Sequence, residues 1–286
     1  MGGLELDEEL PAGRVGDNVG LRGGEVQGGD GGGQFLGGLS GILAAVLYPV
    51  FIGWPGWAEA VAALLDRPDE TAAREAAKAT RHALIEEVRA LHAKAGERVV
   101  DFCAGAGGKT LGLAAAMDNR GRLIACDVDR PRLSKLEPRA VRAGVTIAET
   151  RLLDPNREAA ALADLMGQAD AVLVDAPCSG TGTWRRNPEA RWRLTPDQLA
   201  RYVAIQSRLL DLAAQLVRPG GRLGFVTCSL LDAEGANQAE GFLARHSGWA
   251  AEALALGAGE ARGPGVRLSP ARDGTDGFFV ACFQKR

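Results

Sequence analysis

From Arg98 onward, short apolar runs alternate with stretches of helical spacing. Arg98-Val99-Val100-Asp101-Phe102 is strand-like, followed by a glycine-rich turn and a helix through Leu111, Leu113 and Ala116. Arg122 to Cys126 predicts a second strand ending at Asp127, and Leu133, Leu136 and Val141 predict the next helix. Val145 to Leu152 reads as a third strand and Ala171-Val172-Leu173-Val174 as a fourth. A long helix from Pro196 to Val217 leads into a fifth strand, Arg222 to Val226, and Gly277 to Phe283 forms a late one. Strands separated by helices of this length require a mostly parallel sheet covered on both faces, so an α/β, Rossmann-like domain is expected. In such sheets, ligands and chemistry collect beyond the strand carboxyl ends.

Ahead of this alternation the pattern vanishes. Residues 1–40 are about one-third glycine, with an acidic start at Glu5, Asp7, Glu8 and Glu9. That composition cannot bury enough surface to offset chain entropy, so a disordered segment is expected. Gly31 to Ala58 is free of charge and long enough for a membrane span. Pro49 and Pro55 interrupt it, glycines dilute it, and no basic residues flank its start, which favours one or two buried helices instead. Arg74 to Ala93 reads as an amphipathic helix with Leu84, Val88 and Leu91 on its apolar face and Ile85 beside them. Residues 41–95 are therefore expected to be helical, and residues 96–286 to form the main domain.

Composition changes the picture at two points. The formal net charge of −3 over 286 residues gives no general affinity for polyanions, so any contact with nucleic acid must rest on a local patch. Arg185, Arg186, Arg191 and Arg193 are the candidate patch, although such a cluster taken alone is more readily a solvated loop. The five cysteines, Cys103, Cys126, Cys178, Cys228 and Cys282, are odd in number, widely spaced and without a C-x-x-C pair. This argues against a disulfide framework or a zinc site and for a reducing cytoplasm. Cys126 and Cys282 lie within apolar runs and read as buried, inert thiols.

Cys178 and Cys228 differ, because each falls just past a strand-like run, in Asp175-Ala176-Pro177-Cys178-Ser179-Gly180-Thr181-Gly182 and Val226-Thr227-Cys228-Ser229. Two thiols delivered to one sheet edge suggest covalent catalysis over a pair of structural cysteines. At the other end of the edge, Ala104-Gly105-Ala106-Gly107-Gly108-Lys109-Thr110 joins the first strand to the first helix. Glycines there let a backbone approach a ligand, but neither the G-x-x-x-x-G-K-[ST] nor the G-x-G-x-x-G spacing is present. Asp127 is placed to accept hydrogen bonds from ribose hydroxyls, which suits S-adenosylmethionine as well as a dinucleotide. Cytosine C5 is a poor nucleophile until a thiolate adds at C6, so two cysteines with Asp175 polarising N3 would fit methyl transfer to that carbon.

On these residues the chain resembles the RNA (cytosine-5)-methyltransferases of the Sun type, especially bacterial enzymes acting on small-subunit ribosomal RNA. The resemblance lies in Asp101 to Thr110, Asp175 to Trp192, Arg218-Pro219-Gly220-Gly221 through Ser229, and Asp273 to Phe279. It implies an S-adenosylmethionine-dependent domain in which Cys228 attacks, Cys178 assists release and Asp175 orients the cytosine. It further implies that Cys103, Ala104, Gly105, Ala106, Gly107, Gly108, Lys109 and Asp127 hold the cofactor, with Asp154 and Asp175 as further contacts. RNA, ribosomal by resemblance, is the implied partner of a monomeric cytoplasmic enzyme. Gly105-Ala106 replaces the Ala-Pro usual in that loop, a change expected to loosen it modestly. Ahead of the first motif, Lys78-Ala79-Thr80-Arg81 runs almost directly into Ala95-Gly96-Glu97-Arg98 without the family's Val-Gln-Asp-Glu-type stretch. Residues 41–95 are thus read as the remnant of an upstream RNA-binding region.

Two other functions compete. A DNA or small-molecule methyltransferase is disfavoured by the Thr-Cys cysteine, because DNA cytosine-5 enzymes use a Pro-Cys nucleophile. A catalytically weak RNA-binding or ribosome assembly factor would keep the fold without the turnover.

Overall fold

The structure, a computed structural model, describes residues 86–286; the expectations for the glycine-rich start, the uncharged stretch and most of the first amphipathic helix lie outside them. Of that helix, residues 86–90 are helical, and Val88 and Leu91 are buried as expected. Among the described residues no helix is long and apolar enough to cross a membrane.

Among the described residues nine strands form one sheet: β1 (Arg98–Asp101), β2 (Arg122–Asp127), β3 (Ala148–Leu152), β4 (Ala169–Asp175), β5 (Val217–Thr227), β6 (Trp249–Glu252), β7 (Glu260–Arg262), β8 (Gly265–Leu268) and β9 (Phe278–Lys285). Their order is β3-β2-β1-β4-β5-β9-β8-β7, with β6 also pairing β9. The first five are parallel, as expected, whereas β9 runs antiparallel to β5 and carries β6 and β8 antiparallel in turn. The three short strands were not legible in the sequence, because each is too brief to show a period and is held by β9 alone or by its neighbour.

Strand residues alternate between two buried layers, which explains the unbroken apolar runs. Val100, Ile124, Val172, Val174, Leu223 and Phe225 face one core. Helices α5 (Pro196–Leu216) and α6 (Ala236–Arg245) close that core through Leu210, Ala213, Ala239 and Phe242. Val99, Leu123, Ala171, Leu173 and Val226 face the other, covered by Leu113 and Ala114 of helix α1 (Gly108–Ala116) together with Val88 and Leu91. Burying a side chain of this size is worth roughly 1.5–3 kcal/mol, so both layers contribute heavily. Helix α5 starts where a capping box forms: Thr195 Oγ1 accepts from the Gln198 N–H while the Gln198 side chain accepts from the Thr195 N–H.

One expected helix is two. The stretch after β2 forms α2 (Arg130–Leu133) and α3 (Leu136–Ala143). Pro138 explains the break, since a proline is tolerated in the first turn of α3 but its ring would clash in the interior of one continuous helix. Val141, expected on the apolar face, is 75% exposed; Leu136 and Ala140 form the buried stripe instead.

Candidate active site

The parallel register of β4 and β5 sets Asp175 opposite Val226. Both cysteines follow within a few residues, so pairing alone carries the two thiols to the same edge. Cys178 Sγ and Cys228 Sγ are 3.3 Å apart. With Cys178 as donor, this hydrogen bond holds the Cys228 thiol below its ordinary value against the opposing effect of burial. The same bond, with burial, pushes Cys178 well above its own. The pair therefore ionises first at Cys228, leaving the proton on Cys178. The other thiols behave as expected for packing residues: burial raises Cys126 to about 12 and also raises Cys282.

Asp175 stands on the same wall, with Oδ2 2.6 Å from Lys109 Nζ. Lys109 in turn lies 2.8 Å from Glu87 Oε2, so one ammonium bridges two carboxylates. Burial works against that charge, but Asp175 and Glu87 outweigh it and hold Lys109 above its ordinary value. Glu87 itself is pushed up by burial against the pull of Lys109. Asp175, read from the sequence as polarising N3, thus has an ammonium partner. The Glu87 partner was not legible, because it sits on a helix that otherwise reads as solvent-facing between its apolar positions.

A cleft of about 630 Å³ opens over the carboxyl ends of the parallel strands, and Cys103, Asp127, Asp175, Cys178 and Cys228 all reach its wall. Of the loop expected to hold the cofactor, Cys103 lines the wall, and Ala104, Gly105, Ala106, Gly107, Gly108 and Lys109 follow it in the chain without lining it. The Gly105 N–H donates to Asp127 Oδ2 at 2.7 Å and the Asp129 N–H to Asp127 Oδ1 at 2.8 Å, so this carboxylate ties the loop after β1 to the loop after β2. Gly107 has φ +82, and a Cβ there would lie 2.6 Å from Leu136, so this turn requires glycine. Asp154 is not brought to the cleft. It is exposed beside Arg157 at 3.9 Å, and its neighbours Leu153 and Pro155 form the wall.

The charges on the wall test which cofactor fits. Asp127, Asp129 and Asp175 (the last paired with Lys109) face the cleft together with Arg132, and the other arginine on the wall, Arg208, is held by both oxygens of Glu158 at 2.9 and 3.0 Å, so carboxylates outnumber free cations there. An acidic wall repels a pyrophosphate and suits a ligand with a sulfonium and an ammonium group. Val128 and Ile205 keep exposed apolar surface at its rim, suited to the face of a purine. The residues present therefore fit S-adenosylmethionine better than a dinucleotide.

The arginine patch is less available than the sequence suggested. Arg186 and Arg185 lie 2.7 and 3.6 Å from Asp276, Arg193 lies 3.4 Å from Glu189, and Arg191 stacks 4.4 Å above the ring of Trp192. Trp192 is 76% exposed.

The sheet and the cleft define a Rossmann-like, S-adenosylmethionine-dependent methyltransferase fold. The crystal structure of NSun6 from Pyrococcus horikoshii with SFG shares it with a TM-score of 0.63 at 29% identity, covering 71% of this chain and 51% of that one. Residues 88–284 match the family described as 16S rRNA methyltransferase RsmB/F, and the chain belongs to that family. Ribosomal RNA small subunit methyltransferase B of Thermus thermophilus is 38% identical over 200 residues, 68% of this chain and 46% of that protein. The protein of the same name from Erwinia tasmaniensis is 36% identical over 191 residues, 67% and 43% respectively. The chain thus spans less than half the length of these curated relatives.

Proposed function

We propose that this chain transfers a methyl group from S-adenosylmethionine to C5 of cytosine in RNA, with small-subunit ribosomal RNA as substrate. The observation that carries the reading is the thiol pair 3.3 Å apart on the same wall as Asp175. Membership of the RsmB/F family supports it, as does the neighbouring structure solved with an S-adenosylmethionine analogue.

In this reading the Cys228 thiolate adds to C6 of the cytosine, and C5 gains the electron density needed to attack. The Lys109–Asp175 pair holds a proton where N3 and its neighbouring oxygen would lie, stabilising charge that develops on the ring. Bound S-adenosylmethionine supplies the electrophilic methyl group. Solvent acting as base then takes the C5 proton, the C5–C6 double bond re-forms and the Cys228–C6 bond breaks, with the Cys178 thiol assisting release by donating a hydrogen bond to the departing Cys228 thiolate. Asp127 and the loop from Cys103 to Lys109 hold the cofactor.

The test is methyl transfer from labelled S-adenosylmethionine to small-subunit ribosomal RNA, naked and in ribosomal particles, with the product mapped as 5-methylcytosine. Label at cytosine C5 is expected. A folded, cofactor-binding protein that labels no RNA but still binds it would favour an assembly role instead.

A further inference from the structure

Each reactive cysteine is followed by a serine, and both serines end on one buried carboxylate. Glu234 closes the short turn Asp232–Glu234 that follows β5, and its side chain is 0% exposed. Its Oε1 accepts from the Ser179 N–H at 2.8 Å and from Gln206 Nε2 at 3.1 Å. Its Oε2 accepts from Ser229 Oγ at 2.6 Å and from the Ser179 hydroxyl. Among the described residues no lysine or arginine pairs with it. A buried carboxylate without a cation is costly unless its hydrogen bonds are fully met, and here the donors come from both cysteine loops.

The proton directions follow from the acceptor-only chemistry of a carboxylate. Ser229 has one hydroxyl proton and spends it on Glu234, so in the 3.1 Å contact between Thr181 Oγ1 and Ser229 Oγ the threonine donates. Thr181 Oγ1 accepts in turn from the Leu230 N–H at 2.8 Å. A directed chain therefore runs from the β5 loop through the β4 loop and back to Glu234. Gln206 adds a second strut, donating to Pro177 O at 2.9 Å, and the turn's own backbone is tied to the end of β5 by Thr227 Oγ1 donating to Glu234 O at 3.0 Å.

We propose that Glu234 is a positioning residue that locks the Cys178 and Cys228 loops together and thereby fixes which of the two thiols keeps the proton. Its carboxylate grips the residue after each cysteine, so neither sulfur can drift from the other without breaking bonds to one group. Its negative charge also disfavours a thiolate at Cys178, on whose neighbour it makes two contacts. The proposal rests on the reading of Cys228 as nucleophile and Cys178 as its protonated partner.

The experiment is the pH profile of iodoacetamide alkylation at each cysteine of the RNA-free protein, read by mass spectrometry. It compares wild type, Glu234→Gln, Glu234→Asp and Ser179→Ala. Wild type is expected to label Cys228 first. Glu234→Gln keeps the shape but loses the charge; its Cys178 inflection should move down by about one pH unit, raising Cys178 labelling at pH 7 about tenfold and eroding the preference for Cys228. Glu234→Asp, one methylene short of spanning both loops, should lose the preference for Cys228 in the same way. Ser179→Ala removes one tie while leaving the carboxylate in place, and should shift the profile less in the same direction even if the Glu234 variants do not fold. An unchanged Cys178 profile in a folded Glu234→Gln or in Ser179→Ala overturns the proposal. RNA methylation measured in parallel separates the two ideas: the expected alkylation shifts without any wild-type methyl transfer would sustain the clamp and sink the methyltransferase reading.

Discussion

Cys178 and Cys228 stand on neighbouring parallel strands with their sulfurs 3.3 Å apart, and only one of them is placed to give up its proton readily. Opposite phenotypes follow. Cys228→Ala should abolish methylation and form no adduct, because nothing attacks C6. Cys178→Ala should still attack but release slowly, leaving a covalent protein–RNA complex on a denaturing gel. Adduct in the Cys228 variant with normal turnover in the Cys178 variant would reverse the assignment.

Asp101 makes stability fall as pH rises. Burial lifts its carboxyl from 3.8 to about 7, although the Thr110 hydroxyl donates to it at 2.6 Å. The folded chain keeps a proton that the unfolded chain has already lost between those values. Its contribution is complete below about pH 4, declines by ~1.4 kcal/mol per pH unit, and is gone above about pH 7. Asp101→Asn carries no such charge. Urea unfolding should therefore show the variant gaining on the wild type by about 4 kcal/mol between pH 4 and pH 8, and a constant difference would count against the raised value.

Asp127 is expected to bridge the cofactor's ribose while holding the Gly105 and Asp129 amides. A charge-assisted bond of this kind is worth roughly 1.5–3 kcal/mol, or about 10- to 150-fold in affinity. Calorimetry with S-adenosylmethionine should show that loss in Asp127→Ala. Equal affinity in the two proteins would remove Asp127 from the site.

RNA affinity should depend only shallowly on salt. Arg185 and Arg186 face Asp276, and Arg193 faces Glu189, so few cations of the patch are spare for phosphates. A log–log slope of about −2 to −4 is expected, at roughly 0.7 to 0.9 per phosphate contact. Joint replacement of Arg185, Arg186, Arg191 and Arg193 should weaken binding further. A steep slope that survives those replacements would place the RNA on another surface.

The central parallel strands β1, β2, β4 and β5 were legible because they are buried on both faces and therefore read as apolar runs, whereas the edge strand β3 is largely exposed and begins only at Ala148. The convergence of Cys178, Cys228 and Asp175 followed from the same feature, since strand ends in such a sheet share an edge. What escaped was every contact made by a charged side chain across a long stretch of sequence. Lys109 looked like a loop residue aimed at a cofactor, yet its ammonium sits between Glu87 and Asp175. Glu234 lies in Asp-Ala-Glu-Gly, a string that reads as an exposed turn, and only the folded backbone shows it buried under Ser179 and Ser229. Asp154 was suggested by resemblance, and its side chain is exposed beside Arg157.

The place of β9 in the sheet has a consequence for the order of events during synthesis. This strand, residues 278–285, is inserted between β5 on one side and β6 and β8 on the other. Just ahead of it, the Gly277 N–H donates to Gly182 O at 2.9 Å, and a Cβ on Gly182 would lie 1.8 Å from Gly277 O. A ribosome that has emitted everything up to residue 276 has delivered both thiols, yet β5 still shows an open edge and the Cys178 loop lacks its backstop. A chain emitted to residue 276 thus carries both cysteines while the open edge of β5 and the Cys178 loop still await β9 and Gly277.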